Sequence, residues 1–221
     1  MTDDDGYSRD RAWEYENGFY LTSDASRIGK LLAQFEIYKL ITGLPGEVLE
    51  LGVFKASSLV RLLTFRELLE SRYSRKVIGF DSFGQFPPQA DSSDAAFIRD
   101  FVAEAGAGLS SEDVVAHLEA KSFSNYELVV GDVTETVPAY LDANPHVRIA
   151  LLHLDLDVYA PTREMIDVLY PRLVPGAVVM IDDYSRVAGA TRAIDEFLIE
   201  NPHTLRKSSF AHVPAYFVKH A

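Results

Sequence analysis

Two apolar runs, each stopped by a pair of aspartates, narrow the fold of this chain more than any other feature. One is Ile149-Ala150-Leu151-Leu152-His153-Leu154-Asp155-Leu156-Asp157, and the other is Ala177-Val178-Val179-Met180-Ile181-Asp182-Asp183. Short runs that are apolar almost throughout read as strands buried on both faces, which belong to parallel sheets covered by helices. In open sheets of this kind, ligands sit outside the carboxyl ends of the strands. The four aspartates are therefore expected to converge on one cleft. Like charges a few ångströms apart repel by about 4 kcal/mol per pair in a partly screened site. Such a cluster calls for a positive partner, and a divalent cation is the simplest. Taken singly, an aspartate after a strand more often caps a helix or orders a turn, and Asp157 or Asp183 could each do so.

The rest of the chain fits around these two strands. Apolar spacing predicts helices over 26–41, 57–71, 94–105, 111–118, 137–144, 162–173 and 189–200, and strands over 47–51, 76–81, 127–130, 149–154 and 177–181. The segment 82–93, carrying Gly84, Pro87 and Pro88, reads as a loop. Two short strands, 204–209 and 215–219, close the chain without a helix between them. Alternating strands and helices predict a Rossmann-like α/β domain, with a mostly parallel seven-stranded sheet and helices on both faces. The last two strands form an antiparallel C-terminal hairpin at the edge. No linker divides residues 25–221, which are expected to be a single domain. Residues 1–24, with Trp13, Tyr15, Phe19 and Tyr20 among charges, form an arm or lid or else a frayed end.

Composition removes several function classes. With no cysteine there is no disulfide, thiol nucleophile or thiolate metal site. A net charge of −12 disfavours nucleic acid, whose phosphates must be neutralised on binding. No apolar run approaches a membrane span, and the acidic start Met1-Thr2-Asp3-Asp4-Asp5 is unlike a signal peptide, so cytoplasmic residence is expected.

The first strand ends in Glu50-Leu51-Gly52-Val53-Phe54-Lys55-Ala56-Ser57-Ser58. A dinucleotide loop needs G-x-G-x-x-G, but Phe54 stands where the second glycine should be, and no phosphate-binding G-x-x-x-x-G-K motif is present. The loop allows one close backbone approach, at Gly52, and keeps an acid, Glu50, at the strand end. That suits a cationic ligand with an amino-acid portion, such as S-adenosylmethionine, with Phe54, Ser57 and Ser58 lining it, although Glu50 could merely cap the helix. Asp81, with Ser82 and Phe83 after the second strand, can take the ribose hydroxyls. Asp132, in Gly131-Asp132-Val133 after the third, stands near an adenine amino group, and Asp155 completes the pocket.

With E-L-G-V-F-K, G-F-D-S-F, G-D-V, L-D-L-D-V-Y and I-D-D-Y in order, the chain resembles class I S-adenosylmethionine-dependent methyltransferases. More narrowly, it resembles the macrocin O-methyltransferase family of antibiotic-sugar O-methyltransferases. The stretch from Leu154-Asp155-Leu156-Asp157-Val158-Tyr159-Ala160-Pro161-Thr162 through Leu169–Gly176 and Ile181-Asp182-Asp183-Tyr184 to Ala193-Ile194-Asp195-Glu196-Phe197 carries it most closely, with Ala177 in place of a usual glycine. The resemblance implies that Asp155, Asp182 and Asp183 hold Mg²⁺, that Asp157 is the general base, and that the protein is a homodimer. A compact chain favours a nucleotide-activated (dTDP) 6-deoxyhexose as the acceptor, in natural-product or surface-glycan biosynthesis. The alternatives are a glycosylated antibiotic or a catechol-type diol as acceptor, and, from another class, a family-related hydroxylase or a non-methylating binding protein. A haloacid-dehalogenase-type phosphatase shares the D-x-D strand end, but 28 positions between Asp155 and Asp183 leave no room for its intervening core. Among the histidines, His153 reads as a satisfied core residue, the other five show no metal spacing, and none reads as catalytic, although His117 could help contact an acceptor. The aromatic arm and the 83–86 loop would wall the acceptor or cover the cofactor.

Overall fold

The computed structural model of the chain describes residues 7–84 and 94–220. Phe86 and the prolines of the 82–93 loop, like the first six residues of the arm, lie outside them. After a 3-10 turn (Arg9–Arg11) come α1 (Ala12–Thr22), α2 (Ala25–Lys39), β1 (Glu47–Leu51), α3 (Ser57–Leu69) and β2 (Val77–Asp81). Then follow α4 (Ala95–Ala105), α5 (Ser111–Ala120), β3 (Tyr126–Val130), α6 (Val133–Ala143) and β4 (Ile149–Leu154). The chain closes with α7 (Tyr159–Leu169), β5 (Leu173–Ile181), α8 (Ala188–Glu200), β6 (Arg206–Lys207) and β7 (Ala215–Val218).

These strands form one seven-stranded sheet in the order β3-β2-β1-β4-β5-β7-β6. The first five are parallel, whereas β7 runs antiparallel to both β5 and β6. The expected mostly parallel sheet with a terminal hairpin is what forms. Of the two closing strands, the longer one inserts beside β5 and leaves the two-residue β6 at the edge. The strand order reverses between β1 and β4, so their carboxyl ends splay apart into the crevice where such folds bind ligands.

Strand period two sorts the core. Leu49, Leu51, Leu152, Leu154, Val179 and Ile181 pack with residues of α6, α7 and α8. Val48, Leu151, Val178 and Met180 pack on the opposite face with Ile37 and Tyr38 of α2 and Leu59, Leu62 and Leu63 of α3. Continuing that second face toward the strand ends meets Glu50, His153 and Asp182, three polar residues where the pattern calls for apolar ones. Each is less than a tenth exposed.

Several boundaries differ from the periodicity. The helix expected at 137–144 begins at Val133, because Asp132 caps it by accepting from the Thr134 amide at 2.9 Å and the early Pro138 is absorbed. The helix expected through 173 stops at Leu169, and β5 starts at Leu173, which pairs with Ile149 ahead of a register shift. The arm folds as α1 but buries no residue, leaving Trp13 75% and Leu21 84% exposed. Among the described residues, no helix is long and apolar enough to cross a membrane.

One buried acid ties the helices around the cleft together. Asp94, at the start of α4, accepts from the Tyr159 amide of α7 at 2.9 Å. A Cβ on Gly189, in the first turn of α8, would fall 2.2 Å from the same carboxylate. A carboxylate at two helix N-termini is held by their dipoles and orphan amides. Asp94→Ala is expected to cost about 1–3 kcal/mol, read as a lower urea midpoint with unchanged m-value.

Candidate active site

The β1–α3 connection is a loop of left-handed residues: Gly52 (φ 91°), Phe54 (φ 51°) and Ala56 (φ 58°). Its anchor is Asp81 at the end of β2. The Asp81 carboxylate accepts from the amides of Val53 at 2.6 Å, Phe54 at 2.8 Å and Phe83 at 2.6 Å. A carboxylate has lone pairs for further donors, so this anchoring leaves room for a ligand hydroxyl. The α3 helix starts at Ser57 without a side-chain cap, so its first-turn amides face the loop. Ser58 and Phe83 are half-buried beside it, and Ser82 follows Asp81 directly. The expected cradle residues Gly52, Phe54, Ser57, Ser58, Asp81, Ser82 and Phe83 thus lie along one connected stretch at the ends of β1 and β2.

Two other expected cofactor residues are employed elsewhere. Asp132 is exposed, and its Oδ1 caps α6, accepting from the Thr134 amide and from the Thr134 hydroxyl at 2.7 Å. Glu50 is fully buried, with Oε1 2.9 Å from His153 Nδ1. His153 is a core residue by burial but not a satisfied one: its Nε2 has no hydrogen-bond partner and faces Asp182 Oδ1 at 3.7 Å, too far for a hydrogen bond and close enough for charge attraction. His117 packs edge-on against Tyr7 of the arm.

The four aspartates meet as expected at the ends of β4 and β5. Their ligand atoms fall into two sets, each within 4.8 Å: His153, Asp155 and Asp182, and Asp155, Asp157 and Asp183. Asp155 belongs to both. Asp157 sits in the left-handed region (φ 63°), and its amide donates to Asp183 Oδ2 at 3.0 Å, which fixes its position against β5. Glu50 Oε2, His153 Nε2 and Asp182 Oδ1 are buried with no hydrogen-bond partner. The unpartnered Glu50 and Asp182 oxygens beside crowded carboxylates fit an oxygen-seeking divalent cation.

The electrostatics follow from that crowding. Burial, then the charges of Asp182 and Asp183, raise Asp155 well above the usual carboxylate range. Burial and the charge of Asp157 do the same to Asp183. Burial and the charge of Asp155 push Asp157 up to about 7. Asp182 goes the other way: burial alone would raise it, but His153 and Lys30 hold it down to about 2. Burial alone would lower His153, but Asp182 and Glu50 outweigh that and push it up to about 10.

A carboxyl near 7 in the fold and near 4 in the unfolded chain favours the fold only while protonated. The contribution of Asp157 is complete below about pH 4 and is lost as pH rises through about 7. With chelator present, the melting temperature should fall from about pH 5 to about pH 8, and excess Mg²⁺ should flatten the decline. A chelated protein whose melting temperature rises over that interval would contradict the crowding.

Lys30 of α2 was not anticipated. Its Nζ lies 2.5 Å from Asp182 Oδ2, across 152 positions of sequence. Helical spacing in α2 was legible, but no local motif marks a lysine that reaches a distant strand end. The alternation on β1, β4 and β5 was a usable signal for Glu50 and His153, since polar residues interrupt one buried face.

Comparison with known proteins places this geometry among relatives. The family model described as Macrocin-O-methyltransferase (TylF) matches residues 25–210. The chain is 28% identical over 159 residues to mycinamicin III 3''-O-methyltransferase of Micromonospora griseorubida, covering 70% of this chain and 61% of that protein. It is 30% identical over 152 residues to the 8-demethyl-8-(2,3-dimethoxy-alpha-L-rhamnosyl)-tetracenomycin-C 4'-O-methyltransferase of Streptomyces olivaceus, covering 66% and 56%. The chain therefore matches less than two thirds of the length of these relatives. Among solved structures it is similar to CalS11, described as a TDP-rhamnose 3'-O-methyltransferase of calicheamicin biosynthesis, with TM-score 0.68, 26% identity and coverage of 96% of this chain and 87% of that one.

Proposed function

We infer, from the premise that this chain belongs to the macrocin O-methyltransferase family, that it methylates a sugar hydroxyl using S-adenosylmethionine and a divalent metal. The observation that carries this reading is the four-aspartate cluster at the ends of β4 and β5, beside the β1–α3 cradle and holding buried orphan acceptors. The acceptor we favour is a dTDP-linked 6-deoxyhexose, supported by the TDP-rhamnose in the name of the structurally similar CalS11. A glycosylated antibiotic is the second reading, supported by the names of the mycinamicin and tetracenomycin relatives.

In this reading, residues 25–221 are the methyltransferase domain and residues 1–24 its arm. The uncapped first turn of α3, with Ser57 and Ser58, receives the ligand carboxylate, and Asp81 accepts from a ribose hydroxyl on its remaining lone pair. Asp155, Asp182 and Asp183 hold the metal, for which Mg²⁺ is the best match to an all-oxygen set. When bound, the metal lowers the pKa of an acceptor hydroxyl and fixes its direction, and the sulfonium cofactor supplies a methyl group that needs no further activation. Asp157 accepts the hydroxyl proton, the task of a positioned carboxylate base. The loop around Gly52 sets the alignment of donor and acceptor on which the transfer depends. The exposed Trp13, Tyr20 and Leu21 of α1 offer apolar surface for a second copy in a homodimer, and the protein acts in the cytoplasm.

The test is methyl transfer from S-adenosylmethionine to dTDP-rhamnose-like sugars and to glycosylated antibiotics, with and without chelator. Turnover on the nucleotide sugar that chelation abolishes and Mg²⁺ restores is the expected result. Undiminished turnover in chelated protein would remove the metal, and turnover on finished glycosides alone would move the acceptor to the second reading.

A further inference from the structure

Lys30 occupies an unusual position for a cation. Its ammonium contacts Asp182 Oδ2 at 2.5 Å, while Asp182 Oδ1 is buried and unpartnered. Asp155 and Asp183 also act on Lys30 electrostatically. The placement is built into the packing. Gly29, the preceding residue, sits so close to the 208–211 segment that a Cβ there would fall 2.7 Å from the Phe210 carbonyl oxygen. A larger residue would hold α2 off and withdraw Lys30 from the cluster.

We propose that Lys30 is a resident counter-cation that competes with the divalent metal for Asp182. The proposal rests on the metal reading above. An ammonium at contact distance neutralises one carboxylate, but it is a donor only and offers no open coordination position. A divalent ion coordinated by Asp182 through its unpartnered Oδ1 would stand against the ammonium at a few ångströms, so the two cations weaken each other's hold on that carboxylate. Without metal, Lys30 serves as the cation for Asp182 and neutralises one member of the cluster. Metal affinity is thereby set lower than the carboxylates alone would give, and the metal-free fold is protected from their repulsion.

The experiment compares Lys30→Gln, Lys30→Arg and Arg61→Gln with the parent protein, using Mn²⁺ as the probe. Binding is read by electron paramagnetic resonance, and melting temperature is recorded with and without Mn²⁺. Arg61 is the control because it acts on Asp182 through its charge, while its guanidinium bonds Gln34 instead. Lys30→Gln is expected to bind Mn²⁺ roughly tenfold more tightly and to melt lower when metal-free, with metal restoring the melt. Lys30→Arg, which keeps the charge, should bind no tighter than the parent, and Arg61→Gln should stay within about threefold of it. Lys30→Met gives the same readout should the glutamine variant fail to fold. Mn²⁺ affinity in the neutral Lys30 variants equal to or below the parent overturns the proposal, as does an equal gain in Arg61→Gln. Absence of Mn²⁺ binding in the parent and every variant would instead bring down the metal reading itself.

Discussion

Asp157→Asn is expected to lower kcat for methyl transfer by about 10²–10⁴-fold, the usual worth of a positioned general base. Cofactor affinity should stay within about twofold, because the cradle at β1 and β2 does not include Asp157. The substitution suits the position. Asparagine tolerates the left-handed backbone that Asp157 adopts (φ 63°), and the amide bond from residue 157 to Asp183 Oδ2 is a main-chain contact that survives. What disappears is the proton acceptor, and with it one negative charge beside Asp155 and Asp183. The measurement is single-turnover methyl transfer with saturating cofactor, alongside calorimetric titration of S-adenosylmethionine. A variant that turns over within about threefold of the parent would remove Asp157 from the proton-accepting role.

Gly52→Ala should be the most damaging small substitution in the cleft. A Cβ at residue 52 would sit 1.8 Å from the Asp155 carbonyl oxygen, and the backbone there is at φ 91°, where a side chain is strained in any case. Neither strand can yield easily. The Asp155 amide donates to the Leu51 carbonyl at 2.9 Å, and the Gly52 amide donates to the Phe80 carbonyl at 2.9 Å. The added methyl group therefore forces β1 and β4 apart at the switch point and carries Asp155 with it. The expected cost is about 3 kcal/mol in stability, together with loss of methyl transfer. Gly18→Ala is the control, since a Cβ at that helical position meets nothing within 4 Å. It should leave the urea midpoint unchanged or slightly raised. A Gly52→Ala protein with parental stability and activity would mean that the strand ends do not depend on this contact.

Much of the cleft was legible because its chemistry sits where local patterns end. Asp81, Asp155, Asp157, Asp182 and Asp183 each follow an apolar run, and a parallel strand delivers its last residues to the same edge as its neighbours. The helix boundaries were less legible at prolines and caps. Capped by Asp132, α6 starts at Val133, four residues before the expected position, and Pro138 lies inside the helix rather than at its start. The role expected for Glu50 turned on its side-chain direction, which depends on the strand's face. Paired opposite His153 and buried, it faces α2 and α3 rather than open cleft.

The sequence by itself determined the parallel sheet, the order of its acidic strand ends and the resemblance to sugar O-methyltransferases. The first two depend on short-range periodicity, which is complete within each strand or helix, and the third on motifs met in order along the chain. Only the tertiary structure decided that Glu50, His153 and Asp182 form one stripe across three neighbouring strands and that Lys30 closes it from α2. It also decided that the aspartates divide into two overlapping sets. Those relations depend on strand register and on how closely α2 can approach the sheet, and they join residues as far apart as the 152 positions between Lys30 and Asp182. A chain pattern can announce four aspartates at one edge. Which of them meets a resident cation, and which is left for a proton, follows from burial and charge in three dimensions.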